Sequence, residues 1–515
     1  MNKSDSSAHT LTVAKGGAIA LFGTSAGHLF GFLYILGIAR CFGDVRLGEY
    51  LLAFNIGRIL TSLCALGLEQ AIVRYVAAHV GAHEHAQARG LVQLALRTGG
   101  VSLVAGATVL ALFATTIAER IYHQPGLTGL LFGFALTVPL RGMTSLMTAV
   151  PQALRRPLPG VLCNETGYWL FCLVLTGGGI LLGYGFGSVI LGHVLSSLLM
   201  TLLALIFYVR NIRRPVFQGP ATREPLGPTL RFALPALGIY LSWLIVKGTD
   251  VLLLGYFTGV DASGIYGAAS QLPLVGMIFI GSLSVIFTPM ISDLYNRDEM
   301  QELARLFKLT TQWSLAMSLP YYLILLQWPH ATLNLYGSEF GEGATSLIIL
   351  SAGHCFNATT GLAGYLLIMS GRQFTELLNC LLICFSNVIL NLLLIPQYGM
   401  AGAALATTGA VILIKILRLL QIYRIHGFHP FEWTMGKPML ASGGAVIITA
   451  LIRTWFDPHT LQNLPAFLTS VSVFSFAYVI LLGCMGLSGE ERTVLAAFAG
   501  KLSMLLGSAR KRKDA

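Results

Sequence analysis

Charge is scarce in this sequence. Of its 515 residues 11% are Asp, Glu, Lys or Arg, against 55% hydrophobic. Soluble globular chains carry about 25% charged residues, so a water-facing surface around the whole chain is excluded. No extramembrane stretch is long enough to fold as a separate soluble domain. The chain has no phosphate-cradling G-x-x-x-x-G-K loop, no G-x-S-x-G elbow between a strand and a helix, and no H-E-x-x-H pair. ATP hydrolysis and metal-assisted or nucleophilic catalysis by this chain alone are therefore not expected: it reads as no enzyme, with no cofactor and no metal. The eight cysteines lack disulfide or metal-ligand spacing. Cys64, Cys163, Cys172, Cys355, Cys380, Cys384 and Cys484 fall in apolar stretches as small hydrophobes, and Cys41 sits at the end of one. No small-residue cleavage site follows the first apolar segment, which reads as a retained span.

What is present is apolar length. Stretches of roughly 20 residues, enough for a helix to cross a bilayer, recur from residue 16 to residue 486. They are continuous where barrel strands would alternate, which selects helices. The expected fold is an all-α polytopic membrane protein of about 14 transmembrane helices. Its divisions are a cytoplasmic tail (1–15), a first six-helix bundle (16–209), a cytoplasmic linker (210–229), a second six-helix bundle (230–423), two additional helices (424–486) and a basic tail (487–515). With the N-terminus inside, 24 of the 33 Lys and Arg fall on the cytoplasmic side and Arg40, Arg46, Arg120 and Arg453 on the other. That asymmetry places both termini in the cytoplasm and accounts for the +11 formal charge without nucleic acid. The basic tail reads as a solvated face beside anionic lipid. Segments 83–97, 297–308 and 491–506 mix charge and apolarity at helical spacing, as helices do that lie along the membrane or extend the following span.

An internal repeat organises the chain. FGDVRLGEY at 42–50 aligns with TGVDASGIY at 258–266, an offset of 216 that superposes Gly43 on Gly259, Gly48 on Gly264 and Tyr50 on Tyr266. GYGFGSVILG at 183–192 aligns with QYGMAGAALA at 397–406, an offset of 214 that brings Tyr184-Gly185 onto Tyr398-Gly399. Two near-equal offsets at equivalent topological positions imply two six-span units in the same orientation, a construction that suits an alternating-access carrier with a central cavity.

Ionisable groups inside spans are costly and mark cavities, pairs or transport routes. Arg58, Arg141 and Lys247 lie deep and stand against Asp250, a net positive set that would favour an anion in a low-dielectric surround. Arg58 and Arg141 can clamp phosphate oxygens through several donors, and Lys247 acts as a point charge. Lys247 and Asp250 are three residues apart and are equally placed to neutralise each other. His28 and His354 suit either cavity lining or packing. Glu165, Lys415 and Arg418 are secondary intramembrane candidates, the last two placed to snorkel toward cytoplasmic headgroups. Glu69 and Glu376 lie at span ends.

Four segments carry a family resemblance: A-R-x-F-G…G-E-Y at Ala39–Tyr50, G-L-E-Q-A-I-V-R-Y-V-A at Gly67–Ala77, S-G-R-Q at Ser370–Gln373 and I-P-Q-Y-G-M-A-G-A-A at Ile395–Ala404. With them the chain resembles Wzx-type polysaccharide biosynthesis flippases (O-antigen and lipid-linked oligosaccharide) of the multidrug/oligosaccharidyl-lipid/polysaccharide exporter superfamily, related to MATE and MurJ. The resemblance implies an alternating-access carrier in the bacterial inner membrane that moves a polyprenyl-pyrophosphate-linked saccharide to the outer leaflet. It implies as partners that lipid-linked saccharide, membrane lipids, a polysaccharide polymerase and glycosyltransferases. On this reading Arg58, Arg141 and Lys247 become candidate contacts to pyrophosphate or acidic sugars. His28 and Asp250 become candidates for coupling to a proton or sodium gradient. A multidrug cation antiporter, which requires dominant cavity carboxylates, and a non-transporting scaffold for polysaccharide assembly are the alternatives.

Overall fold

The computed structural model describes residues 3–212, 221–222, 225–453 and 464–486. The basic tail 487–515, which includes the segment 491–506, and residues 213–220 and 223–224 of the linker 210–229 lie outside them. Every regular element among the described residues is helical, and ten of these helices are long and apolar enough to cross a membrane. This is an all-α polytopic membrane protein.

The principal helices are α1 (Lys3–Cys64), α2 (His85–Thr115), α3 (Leu127–Ala153), α4 (Gly167–Leu181), α5 (Gly187–Ile212), α6 (Leu226–Phe257), α7 (Val260–Val275), α8 (Met277–Asn296), α9 (Met300–Gln327), α10 (Ala344–Ala358), α11 (Ala363–Met369), α12 (Gln373–His426), α13 (Gly436–Arg453) and α14 (Leu464–Cys484). The charged segments 83–97 and 297–308 begin α2 and α9 and run on into their apolar parts. Cys484 is exposed, unlike the buried Cys64, Cys163, Cys172 and Cys380. The G-x-S-x-G string Gly23–Gly27 lies inside α1, where no nucleophile elbow can form.

Single glycines turn the chain where the sequence leads one to expect loops. α1 kinks at Gly43 (φ 80°) and α12 at Gly399 (φ 55°), conformations that an L side chain rarely adopts. Their repeat partners share the property: Gly259, ahead of α7, has φ 120°, and Gly185, ahead of α5, has φ 54°. The sequence repeat is thus matched in the backbone at all four positions.

Helices α1 to α5 pack on one another, with α3 against α1, α2 and α5. Helices α6 to α12 form a second packed group, in which α12 lies against α6 and α10. α13 and α14 pair and rest on α9. The two groups meet at both ends of the molecule. At one end α1 packs on α7 so closely that a Cβ on Gly48 would overlap the Val260 carbonyl oxygen, and a Cβ on Gly264 would overlap that of Asp44. Adding 216 converts Asp44 into Val260 and Gly48 into Gly264, so the two contacts are reciprocal images. Beside them Arg40 donates from Nε to the Leu335 carbonyl (2.6 Å) and from a terminal nitrogen to that of Asn334 (2.9 Å). At the other end Gly67 abuts the Ala233 carbonyl, and the Arg74 guanidinium lies 4.3 Å over the ring of Phe232.

These contacts make the first end intolerant of any side chain. Gly48→Ala and Gly264→Ala are each expected to lower the stability of the purified protein by ~1–3 kcal/mol, the usual cost of overpacking. Gly37→Ala, on the same helix with no atom within 4 Å of the added carbon, is expected to leave thermal unfolding unchanged or slightly raised. Equal unfolding temperatures for all three variants would remove the close seam from the account.

Candidate substrate cavity

A cavity of about 1230 Å³ lies where the two helix groups face each other, lined mainly from α1, α3, α6, α7 and α12. Its walls include four basic side chains (Arg58, Arg141, Lys247, Lys415), three acids (Glu69, Glu165, Asp250) and two histidines (His28, His354). Side chains distant in sequence thus converge on one space, and every candidate named from the sequence lines it except Arg418.

Arg58 donates to Asn55 Oδ1 one turn earlier (3.0 Å) and lies 5.4 Å over the Phe54 ring. Its Nε is buried without a partner, so the guanidinium retains donor capacity. Arg141 is held from behind. It donates to the carbonyls of Cys163 (3.2 Å) and Asn164 (3.0 Å) and stacks 3.7 Å from the centroid of Tyr168. Both carbonyls belong to a π-helical turn, Leu162–Thr166, a local widening of the helix that recurs at functional sites. Two of the five guanidinium donors are thereby used in orienting Arg141, and the rest remain for the cavity.

Lys247 and Asp250 are not a pair. Asp250 turns away and is held by neutral donors: Asn391 Nδ2 to Oδ1 (2.7 Å), and Tyr266 OH (2.6 Å) and Thr407 Oγ1 (2.5 Å) to Oδ2. Asn391 also donates to Asn387 Oδ1 (3.2 Å), while its own Oδ1 is buried and unpartnered. Three helices, α6, α7 and α12, thus supply one compact oxygen-rich centre. Asn387 and Asn391 were legible as amides one turn apart in the apolar run SNVILNLLL, but nothing in the sequence aimed them at Asp250.

The other acids are partly occupied. Glu69 accepts a hydrogen bond from Ser145, whereas Glu165 lines the cavity beside the Arg141 anchor. His28 is exposed to the cavity. His354 lines it while stacking on Tyr322 at 6.4 Å. Lys415 also faces the cavity, which corrects the expectation that it snorkels to headgroups. Arg418 departs further: it is buried and ion-paired with Glu376 across the two arms of α12, Nε lying 3.0 Å from Oε2. Asn379 and Gln421 exchange reciprocal amide bonds beside it (2.8 and 2.9 Å). A guanidinium this deep is stabilised by a carboxylate close by, not by reaching for distant water.

The profile of the polysaccharide biosynthesis protein family matches residues 13–295, more than half of the chain. The chain belongs to this family. A second profile, that of the lipid II flippase MurJ, matches residues 170–474, so the two overlap across the middle of the protein. Among curated relatives of this family member, the uncharacterized membrane protein MJ1068 of Methanocaldococcus jannaschii is 24% identical over 303 residues, covering 57% of this chain and 58% of that one. The capsular polysaccharide biosynthesis protein CapF of Staphylococcus aureus is 28% identical over 162 residues, covering 31% and 41%. The matches thus span well under two thirds of these relatives. The fold is shared more widely: a structure of the lipid II flippase MurJ in an inward closed conformation superposes with a TM-score of 0.72 at 16% identity, covering 91% of this chain and 98% of that one.

The ion pair within α12 has a direct test. Arg418→Met strands the Glu376 carboxylate and is expected to destabilise the protein by about 3–5 kcal/mol, whereas adding Glu376→Leu recovers most of the loss. Thermal unfolding of the single and double variants reads this; a double variant as unstable as the single one would contradict it.

Proposed function

We propose that this member of the polysaccharide biosynthesis family is an alternating-access flippase. It carries a polyprenyl-pyrophosphate-linked saccharide from the cytoplasmic to the outer leaflet for surface polysaccharide synthesis. The observation that carries the reading is the cavity between the helix groups, whose basic residues Arg58 and Arg141 are braced from behind with donors left over. Pyrophosphate and sugar would occupy this polar space while the polyprenyl tail stays in lipid, which avoids desolvating the charge in hydrocarbon. Arg58, Arg141, Lys247 and Lys415 bind the anion. No bond is made or broken.

In this reading fourteen spans form two parallel six-helix bundles, 16–209 and 230–423, plus the pair within 424–486, with both termini cytoplasmic. The reciprocal Gly48 and Gly264 contacts and the matched positive-φ glycines support the two-fold relation. The kinked part of α1 that carries Arg40 and Arg46 then lies on the outer side, and the glycine seam is the outer closure, which opens as the bundles rock. The Asp250 centre is the locus of cation coupling: its carboxylate, the Asn387 and Asn391 amide oxygens and the Thr407 hydroxyl would accept a sodium ion or keep a proton. His28 is a second contributor within the cavity. A multidrug cation antiporter would need carboxylates to dominate its cavity, whereas four basic side chains here face three acids, of which Asp250 already accepts three hydrogen bonds. An inert scaffold leaves a charged cavity of this size without a purpose.

The test is flipping of a fluorescent lipid-linked oligosaccharide in proteoliposomes. Arg58→Glu and Arg141→Glu, in protein that stays monodisperse, are each expected to slow flipping roughly 10-fold or more, since removal of a desolvated charge partner commonly costs 2–5 kcal/mol. Asp250→Asn is expected to abolish any dependence of the rate on a sodium or proton gradient. Wild-type rates in both Arg variants would overturn the assignment of the cavity.

A further inference from the structure

The repeat offsets relate more than glycines. An offset of 216 carries Tyr34 to Asp250 and Tyr50 to Tyr266, and an offset of 214 carries His193 to Thr407. In the second half Asp250, Tyr266 and Thr407 form one hydrogen-bonded centre. Their counterparts in the first half also meet. The Tyr34 and Tyr50 rings are 5.8 Å apart, and His193 lies 5.2 Å from Tyr34 and 5.3 Å from Tyr50, stacked on the latter. The first half therefore holds an equivalent centre in which a phenol replaces the carboxyl and an imidazole replaces the hydroxyl.

His193 is fully buried on α5. Its Nδ1 is 2.7 Å from the Tyr168 hydroxyl, and its Nε2 has no partner. Six aromatic rings surround it, those of Phe54, Phe134, Tyr168 and Trp169 joining the two tyrosines at 5.1–6.2 Å. Aromatic faces attract a cation, and the Tyr50 ring lies stacked on the imidazole at an interplanar angle of 25°. The titratable and charged groups facing it are Tyr34 and Tyr50 from α1, Tyr168 and Cys172 from α4, and Arg141 from α3. No carboxylate is among them. The one full charge among them is the Arg141 guanidinium, which lies 3.7 Å from the centroid of the Tyr168 ring. Tyr168 and Arg141 both line the cavity, so Tyr168 is the bridge between cavity and imidazole.

We propose that His193 is a proton-binding site whose occupancy is coupled, through Tyr168, to an anion seated on Arg141. Burial away from water first, and the uncompensated Arg141 charge second, disfavour a proton on His193. A bound pyrophosphate cancels that charge, and a proton from cavity water joins the ring. Both ring nitrogens are then donors, and the Tyr168 oxygen accepts from Nδ1. Coupling is reciprocal: lower pH tightens anion binding, and anion binding takes up a proton. The inference deepens the proposed function and rests on its reading of Arg141 as an anion contact.

The experiment measures binding of farnesyl diphosphate, a short isoprenyl pyrophosphate, to the full chain in nanodiscs between pH 6 and 8. Calorimetry in buffers of different ionisation heat counts the protons. Wild-type protein is expected to bind more tightly at pH 6, by roughly 10-fold beyond the change shown by His193→Gln, with net proton uptake that the variant lacks. Tyr168→Phe, which keeps the ring under Arg141 and deletes the hydroxyl, is expected to weaken the coupling. His429→Gln, an exposed histidine away from the cavity lining, is expected to keep it. An identical pH dependence in wild type and His193→Gln overturns the inference while leaving the anion site intact. Failure of the wild type to bind the probe at any pH overturns both. Should His193→Gln not purify as a monodisperse protein, the wild-type proton count decides: uptake beyond the probe's own protonation supports the site, and none overturns it.

Discussion

Hydrocarbon offers no water to a polar group, and each part of this protein answers to that constraint. The backbone meets it by becoming helix in every regular element among the described residues. Side chains meet it in three ways. Arg418 and Glu376 neutralise each other inside the fold of α12. Asp250 gathers three neutral donors from two other elements. Arg58, Arg141, Lys247 and Lys415 instead face a shared cavity, where their charge is left partly uncompensated. A chain with 11% charged residues keeps such groups inside only where they are paired, caged or used.

The cavity exists because two helix groups touch at their ends and stand apart between. Glycine permits the contact. Gly48 and Gly264 bring backbone against backbone at one end, and Gly43 and Gly399 reverse the chain within a single residue. The same repeat that duplicates these glycines also duplicates the positions of two polar centres. The repeated backbone holds them in equivalent places while their chemistry has diverged, an acid with hydroxyl and amide partners in one half and an imidazole among aromatic rings in the other.

Much of this was legible in the sequence. Apolar run length dictated spanning helices, and the 216 offset pairs the two glycines, Gly48 and Gly264, whose contacts in the structure are reciprocal. Arg58, Arg141 and Lys247, which the sequence places deep in their spans, all line the cavity. What could not be read was partnership across distance. Three-residue spacing suggested that Lys247 neutralises Asp250, yet the acid's partners lie 16 to 157 residues away. Arg418 near a span end suggested snorkelling, but a kink at Gly399 brings Glu376 to it from 42 residues upstream. His193, a lone histidine in an apolar run, has no signature until its aromatic neighbours are assembled around it.

The central claim is that the cavity recognises the pyrophosphate of a lipid-linked saccharide. The most direct measurement compares equilibrium binding of two fluorescent lipids that share one polyprenyl tail and one sugar, joined in one by pyrophosphate and in the other by an uncharged linker. The account predicts that the pyrophosphate lipid binds at least ~10-fold more tightly and that salt weakens only this binding. Equal affinity for the two, unchanged by salt, would contradict it.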